Sequence, residues 1–247
     1  MGQYPDAQEH FTQALKIWDV MGDVECIAGA RNNLGNLAMS LGDFPTAREH
    51  LQKSLAVCSA IGNVHGMVLA HANLAILATE EGDGPRAVVA AQEALATLEN
   101  SGNQLLHGLV FVVLGEAQVE CGEADAAQLI FQQVIEEFSE AQHPLAVAGA
   151  RRGLGRVALL KKDHAAAIVE LDRAAAIYER LNREQEATRT YLFCAEAYWG
   201  LGDGDRARAR LEEARKRLTR IRAVRDTERA DRLLKDMLSS SHRSGSS

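Results

Sequence analysis

Apolar residues recur three and four positions apart along almost the whole chain. Ile27, Ala30, Leu34, Leu37, Ala38 and Leu41 form one such run. This spacing predicts an amphipathic helix, because these positions stack on one face. The run stops at Gly42-Asp43 and a second apolar run starts at once. Gly suits a left-handed C-cap, and Asp suits both the N-cap and the positive end of the next helix. Pro5, Pro45 and Pro85 fall where second helices start, and Pro144 opens a first helix. A missing N–H costs nothing there.

The pattern repeats every 40 residues without slipping. Gly2, Gly42, Gly82, Gly122 and Gly202 share a slot, and Lys162 fills its one remaining place. Five residues on comes Ala in all six copies: Ala7, Ala47, Ala87, Ala127, Ala167 and Ala207. Four further on stand Phe11, Leu51, Ala91, Phe131, Leu171 and Leu211. Upstream, Leu34, Leu74, Leu114, Leu154 and Cys194 share a slot, followed by Gly35, Ala75, Gly115, Gly155 and Ala195. These small residues let two helices approach closely, where a larger side chain would overpack the contact. Second helices end at Gly22-Asp23, Gly62-Asn63 and Gly102-Asn103.

A fixed period of this length is the mark of a repeat architecture. It predicts one all-α domain over 1–238: a half repeat 2–23, then repeats 24–63, 64–103, 104–143, 144–183 and 184–223, then a capping helix 226–238. Lys235 stands where earlier copies carry Gly or Ala and should block another second helix. The serine-rich stretch 239–247 reads as a disordered tail. The chain opens on a second helix, about 5–21, without its own first helix. Phe11, Leu15 and Trp18 would then be covered on one side only. The expectation is a fragment of a longer protein, able to self-associate through this open helix.

Composition agrees with helices. Of 247 residues 47% are hydrophobic, only 5% are aromatic and four are Pro, which disfavours a β-sandwich or barrel. No apolar run approaches the ~20 residues needed to span a bilayer, and the start is unlike a signal peptide. A cytoplasmic protein is expected. Arg outnumbers Lys 21 to 6, the bias of a GC-rich bacterial genome. Residues 1–150 carry 5 basic and 19 acidic side chains, whereas 151–247 carry 22 and 15. The overall net charge of −7 argues against a nucleic-acid partner.

The sequence offers little catalytic chemistry. There is no Gly-x-Ser-x-Gly, no His-Glu-x-x-His and no Gly-rich phosphate loop. The four cysteines lie far apart, without a Cys-x-x-Cys pair, so buried free thiols are expected rather than a metal site or disulfides. His10 and His50 share a repeat slot, and Glu80-Glu81 and Glu136-Glu137 point different ways on their helices. No enzyme activity and no cofactor or metal is expected. The arginines from Arg206 to Arg225 leave two readings open: a solvated outer face, or a surface for an anionic partner or the acidic half of a second copy.

Leu-Gly, then Gly-Asp, then Ala and a large apolar residue at fixed offsets resemble the tetratricopeptide repeat, over residues 2–238. The usual unit of that family is 34 residues, so both helices here are longer. Arg31-Asn32-Asn33-Leu34-Gly35-Asn36-Leu37 is similar to the repeats of kinesin light chains, of G-protein-signalling scaffolds and of the sensor segments of bacterial ATPase-type transcription regulators. Lys162 for Gly and Cys194 for Leu depart from the pattern. The resemblance implies a right-handed superhelical solenoid of antiparallel helix pairs that binds protein or peptide. It also leaves open a ligand- or peptide-sensing segment of a larger bacterial signalling or transcription-regulating protein.

In that family the first helices line a concave groove. Two before the shared leucine stand Asn32, Ala72, Val112, Arg152 and Leu192. Two after it stand Asn36, Ile76, Glu116, Arg156 and Glu196. Five before lie Leu69, Leu109 and Arg189, and five after lies Trp199. The resemblance thus implies a floor of amides, then apolar residues, then arginines. Amides suit a peptide backbone, and arginine forks suit an acidic or C-terminal carboxylate. The alternative is that Arg152 and Arg156 pair with acids such as Glu116 and Glu196.

Overall fold

A computed structural model describes residues 4–99, 104–221 and 224–244. Among the described residues the chain forms twelve α-helices and no strand. They fall into two compact units, Gln3–Phe138 and Ser139–Ser247. The first holds α1 (Tyr4–Met21), α2 (Val24–Ser40), α3 (Phe44–Ala60), α4 (Val64–Glu81), α5 (Gly84–Leu98), α6 (Gln104–Glu120) and α7 (Ala124–Glu137). The second holds α8 (Pro144–Leu160), α9 (His164–Arg180), α10 (Glu184–Gly200), α11 (Gly204–Ile221) and α12 (Val224–Ser244). Helices α2, α4, α6, α8 and α10 are the first helices of successive pairs, and α3, α5, α7, α9 and α11 their partners.

The turn inside each pair follows from its residues. After α2, Gly42 takes φ +80°. Its N–H donates to Met39 O at 3.0 Å, and the Asp43 N–H donates to Ala38 O at 2.9 Å. This is the double closure of a helix end by a left-handed residue. The Asp43 carboxylate then accepts from the Thr46 N–H and starts α3. Lys162 copies the conformation at φ +60°, with the same two bonds to Leu159 O and Ala158 O. Asp23 caps α2, and the Cys26 N–H bound to it holds its carboxyl below the usual value.

The repeated slots form the core. Ala47, Ala87, Ala127, Ala167 and Ala207 are fully buried. So are Leu51, Ala91, Phe131 and Leu171, and Leu211 is 1% exposed. Each buried Leu or Phe contributes about 1.5–3 kcal/mol. A methyl group added at Gly155 would lie 2.5 Å from Leu171 Cγ, and one at Gly115 would lie 2.5 Å from Phe131 Cε1. In α4 and α5 the same crossing pairs Ala75 with the smaller Ala91.

The expected bounds of the last helix need adjusting. Helix α12 begins at Val224 and runs to Ser244, well past 238. No Gly or Pro occurs between 224 and 244 to stop it. Residues 245–247 of the expected tail lie outside the described residues, as do Met1–Gln3 and Gly102-Asn103. Helix α12 packs as a first helix: Ala230 and Met237 are buried, at the slots of the buried Ala150 and Val157 two pairs earlier. Lys235 is exposed. Phe11, Leu15 and Trp18 are half-buried. Among the described side chains of α1, Ile17, Val20 and Met21 are large, apolar and exposed.

Candidate functional site: the first-helix faces

In the Gln3–Phe138 unit, Asn32 and Asn36 lie one turn apart on α2 and are half-buried. The Asn32 side-chain oxygen Oδ1 accepts from Asn73 Nδ2 of α4 at 2.9 Å. Asn36 Oδ1 is buried and accepts no hydrogen bond among the described residues. A buried amide oxygen left so costs about 1–3 kcal/mol. Beyond these amides the face turns apolar. Leu69 and Leu109 are half-buried and pack on a cluster containing Val68, Leu106 and Val110. Ile76 is half-buried, while Val112 and Glu116 are buried.

In the Ser139–Ser247 unit the same slots carry arginines, and aromatic rings take them up. The Arg152 guanidinium lies 5.8 Å from the centre of the Tyr178 ring on α9. Burial raises the pKa of the Tyr178 hydroxyl. Arg156 instead lies over Phe193 of α10, at 5.3 Å. The two arginines thus lie over rings of different helices. Arg229 of α12 lies over the same Phe193 ring at 4.1 Å, with Nη2 3.8 Å from Glu196 Oε2. Arg189 Nε donates to Asp226 of α12 at 2.8 Å. Trp199 is half-buried against the core of this unit.

The basic helix α11 is largely occupied with its neighbours. Arg210 donates to Asp172 of α9 at 3.0 Å and lies over Tyr191. Arg217 binds Glu213 and Glu179 and covers the same ring. Arg206 pairs with Asp203, and Arg215 with Asp231 of α12. The hydroxyls of Tyr191 and Tyr198 donate to Glu179 and Asp172. Arg208 and Lys216 are exposed. The side chains of Arg220, Arg222 and Arg225 lie outside the described residues. An open cleft of about 500 Å³ sits here, lined by residues of both charges including Glu179, Glu213, Lys216 and Arg217. The arrangement stitches α9, α10 and α11 together more than it offers a positive surface. Burial, then the Asp172 carboxylate, pushes the neighbouring Cys194 thiol up to about 12.

Sequence reasoning missed Asn73, Phe193 and Arg229. Asn73 and Phe193 lie one residue before the shared-leucine slot, a position treated as background. They fall four residues after the slot of Leu69 and Arg189, so helical spacing puts them on the same face. Arg229 continues the slot of Arg189 into α12. All four cysteines are free, with Cys58 and Cys194 buried. Among the described residues no group of His, Cys, Asp and Glu could hold a metal ion. No described helix is long and apolar enough to cross a membrane.

Three family models match the chain, at residues 23–100, 112–184 and 188–213, and each describes a tetratricopeptide repeat. No match is found among curated proteins. Among solved structures, the chain is similar to BtubC from P. vanneervenii, with TM-score 0.63 and 16% identity over 90% of this chain and 93% of that one. It is also similar to a Rap protein complexed with competence and sporulation factor, with TM-score 0.61 and 13% identity over 97% and 73%. A third is a signal transduction ATPase with a tetratricopeptide repeat sensor from Pyrococcus horikoshii, with TM-score 0.56 and 13% identity over 87% and 37%. At these identities the likeness is one of fold. Together with the family models and the 40-residue register, it shows that the chain belongs to the tetratricopeptide repeat family.

Proposed function

We propose that the chain is a non-catalytic module of the cytoplasm that binds a protein or peptide on its first-helix faces. Tetratricopeptide repeats are interaction scaffolds in general. The observation that carries the finer reading is Asn36, whose buried amide oxygen accepts no hydrogen bond among the described residues. Beside it the Asn32–Asn73 pair presents further amide groups, and amides can bond an extended peptide backbone through both donor and acceptor. The first-helix face of the other unit carries Arg152, Arg156 and Arg189 beside Trp199, which suits an apolar ligand with an acidic or C-terminal carboxylate.

A second reading is a peptide-sensing segment of a larger bacterial signalling or transcription-regulating protein. It is favoured by the fold likeness to a Rap protein complexed with competence and sporulation factor and to a signal transduction ATPase with a tetratricopeptide repeat sensor. The two readings share the binding faces and differ in whether binding acts on another domain. Capture of partners from the source cell tests both. Asn32→Ala with Asn36→Ala, and Arg152→Ala with Arg156→Ala, are each expected to reduce capture ten-fold or more with nearly unchanged melting. A captured partner insensitive to both pairs would remove these faces from consideration.

A further inference from the structure

From α3 to α11 the second helices carry His50, Ala90, Ile130, Glu170 and Arg210 in one register slot. In α11, Arg210 crosses to Asp172 of the preceding second helix, α9, at 3.0 Å. In α7, Ile130 packs on a cluster containing Ala91 of α5 and Leu114 of α6. In α5 the slot holds only Ala90, and Gln52 of α3 stands where α9 has Asp172. A methyl group is too short to close the crevice there. A cavity of about 330 Å³ opens between α3 and α5, lined by Gln52 and Ala90. Leu74 and Ala78 of α4 and the exposed Val89 of α5 make its walls apolar. The same unit also carries an apolar helix face. Ile17, Val20 and Met21 of α1 are exposed, and spacings of three and four place them on one side. Val20 stands out furthest, at 89% exposed.

We infer that this cavity receives α1 of a second copy of the chain, with Val20 entering between α3 and α5 at Ala90. An amphipathic helix laid into an apolar groove binds through anchors at this spacing. Charge sets its direction. Arg86 stands at one end of the cavity, 3.4 Å from Asp83 and 3.8 Å from Glu81, both long against about 2.8 Å for a well-made charge-assisted bond. Glu93 is exposed two turns further along α5, with His71 beside it at 3.0 Å. In α1, Lys16 and Asp19 are exposed beside the apolar trio. Antiparallel to α5, helix α1 brings Lys16 to Glu93 and Asp19 to Arg86. The opposite direction sets like charges against each other. Two different surfaces meet, so the contact is heterologous. It uses second helices and is independent of the reading of the first-helix faces.

Sedimentation velocity of the full chain tests this. The wild-type chain is expected to associate as concentration rises. Val20→Glu removes the entering side chain, and Ala90→Ile fills the cavity as Ile130 does in α7. Each is expected to weaken association about ten-fold or more. Mixed together, the two variants should pair again as a heterodimer, because one keeps the cavity and the other keeps α1. Ala90→Arg with Gln52→Asp transplants the Arg210–Asp172 bridge into the crevice and should block association as well, which keeps the test decisive if Ala90→Ile perturbs folding. Leu129→Glu, at an exposed position of α7, should leave association unchanged. Association of wild-type strength in both Ala90 variants would overturn the cavity as the receiving site and point to a symmetric contact between two α1 helices. A mixture of Val20→Glu and Ala90→Ile that stays monomeric would overturn it too, as would a wild-type chain that stays monomeric at every concentration.

Discussion

At the scale of single residues, the exceptions to the register are the most telling. Lys162 occupies the turn slot of Gly42, Gly82, Gly122 and Gly202 and takes the same left-handed conformation, φ +60°. A side chain with a Cβ is strained there by roughly 1–2 kcal/mol, partly offset by the smaller entropy of an unfolded chain without that glycine. Lys162→Gly should therefore raise stability by about 1 kcal/mol, read from the denaturant midpoint, and Gly122→Lys should lower it by a similar amount. An unchanged midpoint in both would mean the turn carries no strain. Cys194 departs from the leucine slot, and the thiol is buried beside Asp172. Pushed up to about 12, it carries almost no thiolate at pH 8. A disulfide reagent should modify the half-buried Cys26 and Cys121 first, and Cys194 only on unfolding in guanidinium. Rapid labelling of Cys194 in the folded protein would contradict its burial. Both exceptions were visible in the sequence as breaks in a pattern. Their consequences needed the backbone angle and the neighbouring carboxylate.

At the scale of helices, the recurrence of small and large residues sets how close two helices come. Gly155 faces Leu171 and Gly115 faces Phe131, while Ala75 meets Ala91. Where the second helix offers a large side chain, these two first helices offer none. Gly155→Ala should cost roughly 1–3 kcal/mol by overpacking, more than the gain in helix propensity of about 1 kcal/mol returns. Leu171→Ala alone leaves a cavity and should cost about 2–5 kcal/mol. Together the two changes should cost clearly less than their sum, because the added methyl enters the space Leu171 vacates. Additive effects in a denaturant cycle would show that the two do not touch. This level of structure was legible almost completely, since helix spacing, turn residues and the 40-residue register all agree. The contacts of the binding faces were not. Arg152 and Arg156 sit one turn apart in sequence logic, but the rings beneath them, Tyr178 and Phe193, belong to different helices. Nothing in the spacing of the arginines reveals which ring lies beneath each one. Helix α12 likewise looked like a short cap, because its serines break the composition without breaking the helix.

At the scale of the whole molecule, the two terminal helices present opposite surfaces. Helix α12 turns Asp231, Arg232 and Lys235 to solvent and buries Ala230 and Met237. It ends its unit with charge. Helix α1 does the reverse, with Ile17 58%, Val20 89% and Met21 70% exposed. Its slots at Phe11, Ala14 and Trp18 are half-buried, although the same slots are buried in α3, α5, α7, α9 and α11. An apolar face of this kind rarely stays in water. Self-association through α1 is the expected outcome for the chain of 247 residues, and sedimentation velocity should show a sedimentation coefficient that rises with concentration. Val20→Glu with Met21→Glu should abolish that rise at unchanged melting temperature, because both residues are exposed in the single chain. Lys235→Ala, on the charged helix, should leave it in place. A Trp199→Phe variant makes Trp18 the sole indole of the chain, and its quenching by acrylamide should fall as concentration rises. A sedimentation coefficient independent of concentration, with Trp18 equally accessible throughout, would show instead that α1 tolerates its exposed face. The apolar residues at 17, 20 and 21 would then carry no association.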